Sequence, residues 1–104
     1  MMNHMKEMIR FTEESEYKRL VQNGAVVLDV RSNGEFELGH IHGSMHIPLE
    51  ELPFRLAGLN PSKTYLVCCA NGFRSAAAKT QLNLHGYMQV IDAGRWIELN
   101  NELQ

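Results

Sequence analysis

The residues of this chain best suited to chemistry lie in one short segment, residues 65 to 75, where an apolar run ends in a thiol. Residues 65 to 69 are aromatic, aliphatic or thiol, a composition typical of a strand buried on both faces. Residues 75 to 79, behind a short glycine-containing loop, favour a helix. The segment therefore predicts a strand, a tight loop and a helix, with Cys69 at the end of the strand.

Such a loop would favour a cysteine thiolate. The N–H groups of the loop and of the first helical turn have no partners within the helix, so they point at whatever the loop encloses. The helix dipole adds positive potential, and Arg74 adds a permanent cation five residues after Cys69. These features can lower the pKa of a cysteine well below its free value of about 8.5. We predict that Cys69 is a nucleophile.

Two motifs resemble the landmarks of the rhodaneses, single-domain sulfurtransferases whose cysteine carries a sulfane sulfur as a persulfide. The first is the spacing Cys69-x-x-x-x-Arg74-Ser75 after a buried strand. The second comprises Leu28-Asp29-Val30-Arg31, then Glu35-Phe36, Gly39-His40-Ile41-His42-Gly43-Ser44 and Ile47-Pro48. Both motifs occur in the family's order, and the resemblance covers roughly residues 10 to 97.

The resemblance implies that Cys69 is the catalytic residue and that the loop after it binds the substrate. The implied substrate-binding residues are Ala70, Asn71, Gly72, Phe73, Arg74 and Ser75. It places Arg74 either beside a bound anion or in a pair with a carboxylate, and we favour a role in shaping the loop. For Ser75 two roles stay open, a hydrogen bond to the thiolate and a helix cap.

Further polar residues are expected to support the site. Asp29, Arg31 and Glu35 resemble a charged structural network at the carboxyl edge of the sheet, where ligands bind in open α/β sheets. The resemblance also implies a structural, hydrogen-bonding role for His40.

Two other groups of residues have competing interpretations. His40, His42 and His46 are close in sequence, but no carboxylate or cysteine lies nearby at a recognised ligand spacing, so we predict no metal. No organic cofactor is expected either. Cys68 should point to the opposite side of the strand from Cys69. We expect it to be a small core residue, with a resolving thiol as the alternative.

Strand patterns alternate with helical patterns along the chain, which predicts right-handed βαβ units. The predicted fold is α/β, a three-layer α/β/α rhodanese-like architecture with a mostly parallel sheet of four or five strands. The expected strands are residues 9–11, 25–30, 45–47, 65–69 and 88–93. Five helices are expected. The first runs from an N-cap at Thr12 to a stop at Gly24, and the second covers residues 35–38 after a turn at Asn33-Gly34. The others cover residues 50–59, with Pro53 in the first turn, residues 75–85, and the residues from Gly94 onward.

Length and composition indicate one globular domain, residues 1–104, with residues 1–9 as a loose N-terminus. The net charge of −2 gives no electrostatic reason to expect nucleic acid or an anionic membrane. No apolar run approaches the roughly 18 residues of a membrane span. The two adjacent cysteines are poorly placed for an ordinary disulfide, which favours a reducing compartment and a cytoplasmic location. We expect a monomer, with a dimer as the alternative.

The predicted activity is transfer of a sulfane sulfur from thiosulfate or a persulfide or polysulfide donor to a thiol acceptor, with cyanide as the laboratory acceptor. A sulfur-relay protein is a further candidate partner. No charged residue lies between Cys69 and Arg74, whereas thiosulfate-preferring relatives often carry basic side chains there, so a persulfide or polysulfide donor is favoured.

Two alternatives from other classes remain. One is a non-catalytic rhodanese-like module that binds a partner or senses sulfur. The other is a cysteine phosphatase or arsenate reductase, in which five residues rather than four separate the cysteine from the arginine.

Overall fold

The structure, a computed structural model, describes residues 15–104. Within them four strands form one sheet: β1 (Val26–Asp29), β2 (Met45–His46), β3 (Tyr65–Cys69) and β4 (Val90–Arg95). The strand order is β2-β1-β3-β4, and every neighbouring pair is parallel. The predicted parallel sheet is thus confirmed with four strands in this part of the chain. The strand expected at residues 9–11 and the loose N-terminus lie outside the described residues.

Helices cover both faces of the sheet. They are α1 (Glu16–Gln22), α2 (Asn33–Leu38), α3 (Leu52–Arg55), α4 (Phe73–Leu84) and α5 (Trp96–Leu103), with short 3-10 turns at Leu49–Glu51 and Leu56–Gly58. Side chains of α3 and α4 pack on one face, around Leu28 and Val67. Side chains of α1 and α5 pack on the other, around Val27 and Leu66. The predicted three-layer α/β/α fold is confirmed, and no helix within residues 15–104 has the length and apolar character needed to cross a membrane.

The first two described helices begin at residues other than those predicted. The N-cap of α1 is Ser15, whose hydroxyl accepts a hydrogen bond from the Lys18 amide at 3.0 Å; the predicted cap, Thr12, lies outside the described residues. The turn predicted at residues 33–34 is wrong, because these residues already belong to α2. Ser32 and Glu35 form a capping box that starts this helix earlier.

The continuous helix predicted over residues 50–59 is also wrong. Pro53 lies in the first turn of α3, as expected, but α3 is only four residues long and has a 3-10 turn on each side. Proline has no N–H to bond to the carbonyl four residues before it, so a regular helix cannot extend far on its N-terminal side. The leucine pattern still identified the buried side, since Leu52 and Leu59 are both buried.

Two boundaries near the predicted site are shifted by two residues. Helix α4 begins at Phe73 rather than residue 75 and ends at Leu84, followed by Gly86 at φ 91°. Strand β4 covers residues 90–95 rather than 88–93. Both shifts affect the carboxyl edge of the sheet, where α4 therefore starts closer to Cys69 than the helix propensities indicated.

Candidate active site

Strand β3 lies in the middle of the sheet and ends at Cys69. All five of its residues are buried, and it is paired with β1 on one side and β4 on the other. Successive side chains of a strand point to opposite faces. Accordingly, Cys69 packs in the cluster beneath α3 and α4, and Cys68 packs in the cluster beneath α1 and α5. The predicted opposite orientation of the two thiols is found.

The chain turns tightly after Cys69, and the turn directs two backbone amides at its sulfur. The N–H of Gly72 lies 3.0 Å from Cys69 Sγ and the N–H of Ser75 lies 3.2 Å from it. Gly72 has φ 95°, in the left-handed region that side chains with a Cβ rarely adopt. Asn71 stabilises the turn, since its Oδ1 accepts from the Phe73 amide at 3.2 Å. The loop thus places hydrogen-bond donors around the sulfur, and we call this arrangement the cradle.

Ser75 contacts the thiol through its side chain as well. Its Oγ lies 3.4 Å from Cys69 Sγ, with the thiol donating, and the Ser75 hydroxyl donates to the carbonyl of Gly72 at 3.1 Å. The residue is fully buried. Helix α4 begins at Phe73 after Gly72 as N-cap, so Ser75 is not the capping residue. Of the two roles left open by the sequence, the geometry supports contact with the sulfur.

The two neighbouring thiols have opposite pKa shifts. Burial raises the pKa of Cys69, but hydrogen bonds from the Ser75 side chain and from the amides of Ser75, Gly72 and Asn71 outweigh it, and the pKa ends below its ordinary value. Burial and the nearby Asp29 carboxylate raise the pKa of Cys68 to about 12. Because the thiolate is the nucleophilic form of cysteine, these shifts favour Cys69 over Cys68 as the candidate nucleophile.

Arg74 is paired with a carboxylate from another part of the chain. Its guanidinium donates to both oxygens of Glu35 in α2, at 2.7 and 2.9 Å. Glu35 also accepts from the amide and the hydroxyl of Ser32, at 3.0 Å each. The hydrogen bond from Arg74 and then that from the Ser32 backbone lower the pKa of Glu35 to about 2. Of the two positions that the resemblance implied for Arg74, the structure has the carboxylate pair.

A second ion pair, Asp29 with Arg31, is buried close to the site. The Arg31 guanidinium donates to both Asp29 oxygens at 2.8 to 3.1 Å, and the two side chains are only 4% and 1% exposed. It also donates to the carbonyls of Glu35 and Gly39 at 3.3 and 2.7 Å, and lies 4.4 Å from the centre of the Trp96 ring. These contacts hold α2 and the following loop against the sheet, the supporting arrangement expected of Asp29 and Arg31.

The histidines near this loop take part in stacking and hydrogen bonding. The rings of His40 and His46 stack on Phe36 with centroid separations of 3.7 and 4.1 Å. His40 Nδ1 lies 2.7 Å from the Phe36 carbonyl, and His46 Nε2 lies 2.8 Å from that of Arg31. No group of three or more metal-ligating side chains occurs in the described part of the chain. The geometry of His40 agrees with the structural role that was expected.

The remaining predicted loop residues are exposed or only partly buried. Ala70 is partly buried, Asn71 is exposed, and the side chain of Phe73 is largely in solvent, with 77% exposure of the residue. The loop contacts the sulfur mainly through backbone groups, the amides of Gly72 and Ser75, rather than through side chains. Ser75 is the exception, because both its amide and its hydroxyl contact Cys69.

Sequence reasoning missed two partners of the site. It placed Glu35 in a charged network without identifying Arg74 as its partner. The local pattern Ser32-x-x-Glu35 is a readable capping box, but it indicates the contact of Glu35 with Ser32 and not the one with Arg74. The contact spans 39 positions of sequence, and no local pattern specifies it. It also did not identify Trp96 as a partner of Arg31, although its ring lies against the Arg31 guanidinium.

Comparison with known proteins identifies the family of this chain. The family model of the Rhodanese-like domain matches residues 13–94. Thiosulfate sulfurtransferase GlpE of Pseudomonas putida is 32% identical over 95 residues, which cover 91% of this chain and 86% of that protein.

Two solved structures extend the comparison. A rhodanese-related protein from Thermoplasma volcanium superposes with a TM-score of 0.70 at 35% identity, over 86% of this chain and 91% of the other. An NAD-dependent persulfide reductase from A. fulgidus gives a TM-score of 0.56 at 37% identity, over 64% of this chain but only 12% of that protein. On this evidence, the chain belongs to the rhodanese-like domain family.

Proposed function

We propose that this protein is a sulfurtransferase that moves a sulfane sulfur from a donor to a thiophilic acceptor through a persulfide on Cys69. The observation that carries the proposal is the cradle around this sulfur, with two amide N–H groups at 3.0 and 3.2 Å and the Ser75 hydroxyl oxygen at 3.4 Å. The family, whose members include proteins named thiosulfate sulfurtransferase, supports the same reaction.

In the first half of the cycle the Cys69 thiolate attacks the outer sulfur of the donor. A bond forms between Cys69 Sγ and that sulfur as the donor's own sulfur–sulfur bond breaks. The electron pair of the broken bond leaves with the donor fragment, which is sulfite from thiosulfate and a thiolate from an organic persulfide. The enzyme now holds the transferred sulfur as a persulfide on Cys69.

In the second half an acceptor nucleophile attacks the terminal sulfur of this persulfide. The acceptor–sulfur bond forms, the sulfur–sulfur bond to Cys69 breaks, and its electron pair returns to Cys69 Sγ as a thiolate. The amides of Gly72 and Ser75 lie where negative charge is present on sulfur at the start and end of the cycle, so they act as an oxyanion hole does in acyl transfer. With cyanide as acceptor the product is thiocyanate.

The start of α4 adds a favourable field for this chemistry. The helix is twelve residues long and begins directly at the loop, so the positive end of its dipole faces the sulfur. Because the transferred sulfur leaves one bond as it forms another, the cycle needs no net electron transfer. These residues therefore supply what the proposed reaction requires.

The composition of the loop favours a persulfide or polysulfide over thiosulfate as donor. The four residues between Cys69 and Arg74 carry no charge, and the Arg74 guanidinium is paired with Glu35. A thiol is the expected acceptor, with a sulfur-relay protein as a candidate partner. Both cysteines are free thiols, which fits a reducing compartment such as the cytoplasm.

The proposal is tested by intact-protein mass on the native chain, on Cys69→Ala and on Cys68→Ala. Each protein is exposed to thiosulfate or to polysulfide and then to cyanide, and thiocyanate is measured. We expect the native protein and Cys68→Ala to gain the mass of one sulfur atom that cyanide removes, and Cys69→Ala to gain none. A folded, reduced native protein that loads from neither donor would contradict the proposal and favour the non-catalytic module.

A further inference from the structure

Arg74, which directly follows the loop in sequence, has its charge balanced within the protein. Arg74 immediately precedes Ser75, whose N–H lies 3.2 Å from the reactive sulfur. Its guanidinium forms two hydrogen bonds to the carboxylate of Glu35, at 2.7 and 2.9 Å. This two-point pairing matches the fork of the guanidinium to the two carboxylate oxygens, which makes it stronger than a single contact. Arg74 therefore offers the site much less positive potential than a free arginine would.

Glu35 is held in this position from its own side of the contact. Its carboxylate accepts from the amide and hydroxyl of Ser32 at 3.0 Å each, and its backbone carbonyl accepts from Arg31 at 3.3 Å. With its pKa lowered to about 2, first by Arg74 and then by Ser32, the group stays ionised at every physiological pH. An anion that engaged Arg74 would have to displace a fixed carboxylate.

We propose that Glu35 is a positioning residue that sets donor specificity: by holding the Arg74 guanidinium, it withholds the cation that a dianionic donor needs. The inference rests on the proposed sulfurtransferase function and deepens it. The favoured donor class is then one whose leaving group is a thiolate.

The chemistry of the two donors explains why this cation would matter. Attack of the Cys69 thiolate on thiosulfate forms the Cys69–S–S bond and releases sulfite, which leaves with two negative charges. Attack on an organic persulfide forms the same bond and releases a thiolate, which carries one. A fixed cation beside the loop would stabilise the first leaving group more than the second. Neutralising that cation therefore shifts the preference towards persulfides.

The direct test is Glu35→Gln, with kcat and KM measured for thiosulfate and for cysteine persulfide. Glutamine can still complete the capping box with Ser32 and can accept one hydrogen bond from Arg74, but it removes the charge. We expect the ratio of kcat/KM for thiosulfate to that for persulfide to rise about tenfold, the size of one charge-assisted hydrogen bond. The change should lie mainly in a lower KM for thiosulfate.

Two further variants identify the group responsible. Glu37→Gln makes the same charge change two residues away on α2, at an exposed position that forms no ion pair within residues 15–104, and should leave the donor ratio unchanged. The double variant Glu35→Gln/Arg74→Gln should lose the gain, because the released cation is gone. An unchanged ratio in Glu35→Gln, or a gain that persists in the double variant, would overturn the proposal.

A second measurement does not depend on sulfur transfer, so it separates this inference from the proposed function. Cys69 is alkylated with anionic iodoacetate and neutral iodoacetamide, and the ratio of the two rates is compared with that of free cysteine. In the native protein we expect a ratio within about fivefold of free cysteine, the range that a helix dipole alone explains; Glu35→Gln should raise it about tenfold. A native ratio well beyond that range would show that Arg74 is available to anions, even if Glu35→Gln fails to fold.

Discussion

Cys68 and Cys69 are neighbours in the same strand and are equally buried, with 0% exposure for each, yet the structure gives their thiols opposite properties. Cys68 faces apolar side chains such as Leu66 and Leu99, and burial together with the charge of Asp29 raises its pKa to about 12. Cys69 is buried too, but hydrogen bonds from Ser75 and from neighbouring loop amides bring its pKa below the ordinary value. Burial alone therefore does not set the direction of the pKa shift of these thiols; the hydrogen-bond donors at the sulfur decide it.

The position of each thiol along the strand explains the difference. Cys68 lies opposite Asp29 of β1 in register, and its carbonyl accepts from the Val30 amide at 3.1 Å, so the backbone around it belongs to the sheet. Cys69 is the last strand residue, and the chain beyond it leaves the sheet. The amide of Gly72 is therefore free to turn back onto the sulfur. A shift of one residue separates a core thiol from a candidate nucleophile.

The largest expected effect comes from replacing each thiol by serine. Cys69→Ser should lower the rate of sulfur transfer at least about a thousandfold, because a hydroxyl cannot form the persulfide. Cys68→Ser should keep the rate within about threefold of native, since Cys68 takes no part in the proposed cycle and a conservative core change acts mainly on stability. Thiocyanate formation from persulfide and cyanide measures both, with circular dichroism as the folding control. Comparable losses in the two variants would indicate that Cys68 takes part in the reaction as a resolving thiol. They would contradict the difference in role between Cys68 and Cys69.

The next largest effect concerns the buried ion pair of Asp29, the carboxylate near Cys68, and tests how much this pair stabilises the fold. Asp29→Asn leaves the buried Arg31 guanidinium without its carboxylate, and breaking a buried pair in this way costs about 3–5 kcal/mol of unfolding free energy. Urea unfolding measures the loss. The control is Glu51→Gln, which removes an exposed pair with Arg55 at 3.2 Å and should cost below about 1 kcal/mol. Equal costs would mean that the Asp29 pair contributes no more than a surface contact.

A third prediction uses the raised pKa of Cys68. An acid whose pKa is higher in the folded protein keeps its proton longer than in the unfolded chain. The stability that Cys68 contributes is therefore present below its ordinary pKa of 9.0 and falls as the pH rises towards 12, by about 1.4 kcal/mol per pH unit. Urea unfolding between about pH 9 and pH 11 should show a steeper decline for the native protein than for Cys68→Ser. Every other residue is the same in the two proteins, so parallel declines would contradict the shift.

The different surroundings of Cys68 and Cys69 could be predicted largely from the sequence, because their causes are local. A buried apolar strand, a loop containing Gly72 and a helix-forming run after it follow one another within fifteen positions, and strand alternation places Cys68 on the other face. The parallel sheet and its two helical layers followed from the alternation of patterns in the same way.

Features that depend on two separate segments could not be predicted. The pair between Glu35 and Arg74 requires that α2 and α4 meet at one edge of the sheet, and only the packed fold determines this. The role of Ser75 stayed open for a local reason, since a serine near a helix start suits both a cap and a side-chain contact. Its assignment needed the observation that α4 starts two residues earlier, after Gly72.

The smallest effect concerns that serine. Ser75→Ala removes the hydroxyl 3.4 Å from Cys69 Sγ. In the thiolate state, where sulfur has no proton, this hydroxyl can turn from the Gly72 carbonyl and join the two amides as a donor to the sulfur. Of the hydrogen bonds that lower the pKa of Cys69 against burial, this one has the largest effect, so its loss should raise that pKa. Rates of iodoacetamide alkylation against pH should then show a midpoint at higher pH and an unchanged plateau. Thr80→Ala removes another α4 hydroxyl, which donates to the Ala76 carbonyl on the exposed side, and should shift nothing. A lowered plateau with an unmoved midpoint would instead mean that Ser75 controls access to the sulfur rather than the stability of its thiolate.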